Sequence, residues 1–181
     1  LLDLLVDPLA KTPLRLDGDS LRGAEGRAYP IVNGIPRFVR TDDRDQRQTE
    51  ASFGFKWRQR QTYDSPPMRE SARRWLVERY GFATADDMRR YFAGKQRTLD
   101  AGCGGGFSAS LWLAPDWQGA GGAQWVGADI SEAIDVAQEK LGALPGAHFV
   151  QADVMELPFR DETFDVIFSE GVLHHTPSTE A

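Results

Sequence analysis

Cysteine and histidine are scarce in this chain. One cysteine, Cys103, in 181 residues excludes an internal disulfide and any zinc ribbon built on cysteine ligands. The three histidines are His148 and the adjacent His174 and His175, whose side chains point apart on a strand or early helix, so no metal site is expected. Long apolar runs are missing too: none approaches the ~18 uncharged residues of a membrane-crossing helix, and no span is expected. Leu1–Val6 is too short for a secretory leader and carries Asp3 where a basic flank belongs. The chain opens on Leu1 rather than Met, so its start is expected to differ from that of its gene. Internal repeats and low-complexity tracts are absent. A cytoplasmic location fits these absences best. What is present is ordinary globular composition, 41% hydrophobic and 27% charged, which excludes a collagenous or disordered chain. The length suits one domain of about 140 residues and a small module.

The net charge of −6 is spread unevenly. Residues 1–36 carry −1, residues 37–97 carry +6 and residues 98–181 carry −11. The plain expectation is that the basic middle packs or solvates beside the acidic end. A patch for an anionic partner or nucleic acid is the minor alternative, since acids interrupt the arginines and no nucleic-acid motif accompanies them.

Three segments follow along the chain. Residues 1–40 form a small β-rich module. Asp17-Gly18-Asp19-Ser20 separates two short strands, and Asn33-Gly34 is a strong hairpin dipeptide between Ala28–Val32 and Ile35–Val39. Residues 41–95 read as a helical linker. Pro66-Pro67 opens a helix that Gly81 stops, with Met68, Ala72, Trp75 and Leu76 on one face. Thr84 with Asp87 caps a second helix carrying Met88, Tyr91 and Phe92. Residues 96–181 alternate strand and helix. Strands are expected at 97–101, 124–129, 148–152 and 164–169, with helices over 108–113 and from a Ser131 cap to Leu141. That alternation predicts an α/β domain, a Rossmann-like doubly wound parallel sheet with right-handed crossovers. In such sheets ligands bind beyond the carboxyl ends of the strands.

The loop Asp100-Ala101-Gly102-Cys103-Gly104-Gly105-Gly106 lies at the first such end. Bare Cα atoms let backbone amides approach a ligand and permit a tight turn into a helix. Gly104-x-Gly106-x-x-Ala109 also fits a dinucleotide fingerprint, so glycines alone do not decide the ligand. Asp100 weighs against a pyrophosphate, which it would repel by roughly 1–4 kcal/mol, and favours an adenosine ligand with a cationic tail. Asp129, 23 residues after Gly106, ends the second strand where an acid can accept from a ribose diol. Asp153 follows the third strand, placed for an adenine amino group, with Val154 beside it.

Four segments in order resemble class I S-adenosylmethionine-dependent methyltransferases of the small-molecule and quinone-methylating type. They are Leu99–Gly106, Val126–Ser131, Phe149–Phe159 and Phe164–His175. The resemblance implies strands one to four of a seven-stranded domain and S-adenosylmethionine as cofactor. It implies that Asp100, Ala101, Gly102, Cys103 and Gly104 shape the loop side of the pocket and that Asp129 holds the ribose. Ile130 and Val154 would flank the adenine, Asp153 would take its amino group, and Ser169 and Glu170 would lie near the methionine end. Phe53–Trp57 resembles a helix that covers the cofactor. Leu5–Leu14 and Ala28–Pro36 resemble the zinc-ribbon module of RNA and protein methyltransferases, with Asp7 and Ala10 where cysteines stand, so the fold without its metal is expected.

No catalytic residue is identified. Methyl transfer from a sulfonium needs orientation and a dry pocket more than a base. Cys103 is expected to pack rather than react. A small-molecule methyl acceptor is the expected partner. With only four strands, Val166-Ile167-Phe168 would be an exposed apolar edge, so a fragment, a homodimer or a swapped sheet is expected. The alternatives are a non-catalytic methyltransferase-like module acting through partners and an NAD-dependent oxidoreductase.

Overall fold

A computed structural model describes residues 1–39, 65–113 and 122–175 of the chain. The Phe53–Trp57 segment lies outside the described residues. The small module is an antiparallel meander of β1 (Arg15–Asp17), β2 (Ser20–Arg22), β3 (Ala28–Val32) and β4 (Ile35–Pro36), in that order. Asn33 and Gly34 both take positive φ, 54° and 77°, which is what a tight hairpin between β3 and β4 requires.

Two helices follow, α1 (Pro66–Arg79) and α2 (Ala85–Ala93). The inward face of α1 differs from the expected one. Met68 and Trp75 are 41% and 50% exposed, while Leu76 is buried and Ala72 and Val77 pack on the core. The inward stripe starts at Arg69 instead of Met68, because the Arg69 guanidinium donates to the Ser110 hydroxyl and carbonyl, both at 2.8 Å. The stripe then runs 69, 72, 76 at helical spacing. Trp75 remains outside, with Arg79 over its ring. The α2 cap forms as expected: Thr84 Oγ1 accepts from the Asp87 amide at 3.1 Å. Thr84→Ala is expected to lower stability by about 1 kcal/mol in a denaturant titration.

The remaining strands are β5 (Arg97–Ala101), β6 (Gln124–Asp129), β7 (Ala147–Gln151) and β8 (Val166–Phe168). With α3 (Phe107–Trp112) and α4 (Ala133–Leu141) as crossovers they build a parallel sheet of order β7-β6-β5-β8. This is the Rossmann-like arrangement. The third strand sits one residue earlier than expected and the fourth is three residues long, since Asp165 turns its carboxylate back to the Arg97 amide.

Strand alternation sorts the core into two layers. Trp125, Phe149 and Phe168 face the helices and pack with Leu76, Met88, Phe92, Trp112 and Leu141. Leu99, Ala101, Val126, Ala128, Val150 and Ala152 face the other way, onto Leu5, Leu21, Tyr29 and Phe38 of the small module. Each such large side chain contributes roughly 1.5–3 kcal/mol on burial. Among the described residues, then, helices cover one face and the small module covers the other. The module also covers the β7 edge: Arg37 pairs with Gln151 in parallel, and the Phe38 amide donates to the Gln151 carbonyl at 2.7 Å. The expected apolar edge at β8 is only partly exposed. Ile167 is 66% exposed, but Phe168 is buried because its register puts it on the helix side against Phe92.

Candidate functional site

The glycine loop starts where β5 ends. Gly102 turns at φ 81°, and the Gly102 and Cys103 amides both donate to the Ala128 carbonyl, at 2.7 and 3.1 Å. This ties the loop to β6. A Cβ on Gly102 would lie 2.2 Å from Val172 Cγ2, so the segment after β8 rests directly on the bare loop. Gly106, at φ 74°, caps α3.

Asp129 closes β6 and reaches across to this loop. Its Oδ2 accepts from the Gly104 amide at 2.8 Å, and its Oδ1 accepts from the Ser131 amide and hydroxyl at 2.8 and 2.6 Å. Ser131 therefore serves Asp129 first. Its Oγ reaches the Ala133 amide only at 3.3 Å, and Glu132 occupies the cap position expected for it. Ile130 follows, half-buried, with its carbonyl held by Gln151 Nε2 at 2.9 Å.

Asp100 sits behind the loop, 2% exposed, and its Oδ2 has no hydrogen-bond partner. Burial, and then the charge of Asp129, push its pKa up to about 8, with Trp125 opposing weakly. The folded state thus holds a proton that the unfolded chain releases near pH 4. Stability is expected to fall as pH rises from about 4 to about 8, and then to level off. Asp100→Asn carries no such proton, so its melting temperature should depend less on pH across that window and exceed that of the unaltered protein at pH 9. Cys103 is also buried; burial and then Asp100 raise its thiol pKa well above the ordinary value, which suits a packing residue and not a nucleophile.

The other expected residues lie at the same strand ends. Ser169 Oγ donates to the Ala101 carbonyl at 2.9 Å. Asp153 lies two residues past β7 and its Oδ1 accepts from the Met155 amide at 2.9 Å, with Val154 half-buried beside it. Glu170 faces α1, where the Tyr80 hydroxyl donates to it and Arg79 lies 3.5 Å away. Burial and then Glu170 push Tyr80 up to about 12. Hydrogen bonds thus join Asp100's strand, the glycine loop, Asp129 and Ser169 into one unit. Ser131, Gln151 and Tyr80 are tied to it by hydrogen bonds and Val172 lies over Gly102, all without having been expected. Only Ser131 had a signal in the sequence, an acid-x-serine after a strand, and it resembled a helix cap. Among the described residues no group of three or more His, Cys, Asp or Glu side chains is placed to hold a metal.

Residues 99–181 match the family model of a methyltransferase domain. This segment is similar to methyltransferase domains. It is 34% identical over 87 residues to the phthiotriol/phenolphthiotriol dimycocerosates methyltransferase of Mycobacterium tuberculosis, covering 46% of this chain and 30% of that protein. It is 36% identical over 86 residues to the malonyl-acyl-carrier protein O-methyltransferase of Legionella pneumophila, covering 46% of this chain and 28% of that protein. The chain therefore spans about a third of the length of the curated relatives it matches. A crystal structure described as a sarcosine dimethylglycine methyltransferase of Galdieria sulphuraria superposes with a TM-score of 0.51 at 18% identity, covering 71% of this chain and 51% of that one, and shares the fold. In this segment the glycine loop and Asp129 occupy the ends of β5 and β6, on the side of the sheet where the Rossmann-like fold binds ligands.

Proposed function

We propose that the domain binds S-adenosylmethionine and transfers its methyl group to a small-molecule acceptor. The observation that carries this is the Asp129 carboxylate folded over the Gly102–Gly106 loop, beside the buried and unpartnered Asp100 oxygen. The residues fit such a ligand. A carboxylate has about four acceptor positions, and Asp129 uses three within the chain, one of them on a rotatable Ser131 hydroxyl. A ribose diol can take the open position and displace that hydroxyl. Half-buried Ile130 and Val154 offer apolar surface for a purine, and Asp153 an acceptor for its amino group. Asp100, Ala101, Gly102, Cys103 and Gly104 line the loop side, with Ser169 and Glu170 toward the methionine end. The acidic end of the chain favours a cationic ligand.

Bound S-adenosylmethionine supplies an electrophilic methyl on a sulfonium. The chain's own part is to orient that ligand and exclude water. Calorimetry with S-adenosylmethionine, S-adenosylhomocysteine and NAD tests the reading. Binding of the first two without the third is expected; binding of NAD alone would overturn it. The relatives' names give phthiotriol/phenolphthiotriol dimycocerosates in one case and malonyl on an acyl-carrier protein in the other, and a free small molecule is the acceptor proposed for this chain. The division into a module over 1–40, a helical segment over 41–95 and the domain over 96–181 belongs to the same proposal. So does pairing through the β8 edge in a homodimer, which sedimentation would detect.

A further inference from the structure

We infer that Arg37 of the small module is a positioning residue for the nucleoside end of the site, acting through Gln151. This rests on the cofactor reading above. Arg37 follows β4, its side chain is 12% exposed, and its guanidinium donates to the Val32 carbonyl of its own hairpin at 3.3 Å and forks to two partners outside the module. One branch donates to Asp135 in the first turn of α4 at 2.7 Å, where Asn33 of the hairpin also donates at 3.3 Å. The other branch donates to Gln151 Oε1 at 3.3 Å. Gln151 is 8% exposed, and its Nε2 donates to the Ile130 carbonyl at 2.9 Å.

The connection is directional. An amide side chain can flip, and an Arg donor on Oε1 fixes which end faces Ile130. Gln151 then holds the Ile130–Ser131 peptide, whose Ser131 amide donates to the carboxylate of Asp129, the residue proposed to grip the ribose. In the preceding peptide the Asp129 carbonyl accepts from the Ala152 amide at 2.9 Å. The Asp129-Ile130 turn is therefore fixed by two bonds from the end of β7, one of which depends on the module. Asp135, by contrast, receives Arg37 without touching Asp129 or Ile130 in this chain of bonds. It fastens the module to α4.

The two branches can be separated. Arg37→Lys keeps a cation for Asp135 but loses the fork, and Gln151→Met keeps the volume but loses the bond to Ile130. Asp135→Asn breaks the ion pair and leaves the other branch intact. In calorimetry with S-adenosylhomocysteine, Arg37→Lys and Gln151→Met are expected to weaken binding about 5- to 10-fold each, and the double variant no more than Gln151→Met alone. Asp135→Asn should change affinity less than twofold while lowering the melting temperature. In the ligand-free protein, amide hydrogen exchange at residues 130–132 should speed up at least fivefold in Arg37→Lys and Gln151→Met only.

Unchanged exchange at residues 130–132 in both variants would overturn the coupling. Equal affinity loss in Asp135→Asn and Arg37→Lys would overturn it as well, leaving Arg37 as an interface contact only. If the unaltered protein bound no S-adenosylhomocysteine, the cofactor reading and the ligand role of Arg37 would fall together, and the exchange data would still decide whether the module holds the turn.

Discussion

Asp129→Ala is expected to weaken S-adenosylhomocysteine binding by at least ~100-fold. Two charge-assisted hydrogen bonds to a ribose diol, at the low end of about 1.5 kcal/mol each, amount to roughly 3 kcal/mol, or two decades of affinity. A second loss adds to this one. Without the carboxylate the Gly104 amide has no acceptor, and the Ser131 amide and hydroxyl lose theirs. The loop and the β6 end would no longer be joined by a side chain. Asp161→Ala, at an exposed acid on the loop before β8, should change affinity less than twofold and serves as the control. Calorimetry checks both variants, with circular dichroism confirming that each is folded. A loss of threefold or less in Asp129→Ala would mean that the ribose is held elsewhere.

Asp7→Ala is expected to lower the stability of the protein by roughly 3 kcal/mol. The Asp7 side chain is 1% exposed and accepts five hydrogen bonds. Two come from the Leu9 and Ala10 amides of its own turn, two from the Arg27 guanidinium and one from the Tyr29 hydroxyl. Alanine leaves all of these donors without the acceptor, beneath a layer that packs Leu5, Leu21 and Tyr29 on the parallel sheet. For a chain of this size the fall in melting temperature should be roughly 6–12 °C. The pH dependence has a definite sign. Burial raises the Asp7 pKa, but Arg27, the amides and Tyr29 outweigh it and bring it down to about 2. A folded-state pKa below the ordinary 3.8 means that the stabilisation is complete above that value and is lost as pH falls toward 2. The gap between the unaltered protein and Asp7→Ala should therefore close between about pH 4 and pH 2. A gap that stayed constant across that window would show that the ionised carboxylate is not what holds the turn. Asp7 thus cross-links the turn at Leu9–Ala10 to Arg27 and Tyr29 through hydrogen bonds alone.

The parallel sheet was legible in the sequence because its strands are buried on both faces. Thr98-Leu99, Trp125-Val126 and Phe149-Val150 are apolar or β-branched runs inside short strands, and runs of that kind have few alternatives. Asp129 ends β6 as the alternation implies, but Asp100 is buried behind the loop with its carboxyl pKa pushed up to about 8, so at neutral pH it does not present the negative charge expected from the sequence. What remained illegible was mostly non-local. Asp7 and Arg27 are 20 residues apart and Arg37 and Gln151 are 114 apart, and no periodicity links such pairs. Apolar spacing pointed to Met68 and Trp75 as inward residues of α1, yet a polar residue, Arg69, took the inward position because Ser110 offered it two acceptors. The covering of the second sheet face by residues 1–38 was equally hidden, since the alternation of Leu99 and Ala101 says that a face is buried but not by what. Uneven charge had a more direct outcome: Arg37 with Asp135 and Arg79 with Glu170 are pairs between the basic middle and the acidic end.

A crystal structure with S-adenosylhomocysteine bound would decide the matter most directly. The ribose hydroxyls should lie within hydrogen-bond distance of the Asp129 carboxylate, with the Ser131 hydroxyl turned away, and the amino-acid tail should run along Gly102–Gly104 toward Asp100. Electron density for the ligand away from Asp129, with the Ser131 hydroxyl still donating to that carboxylate, would contradict it.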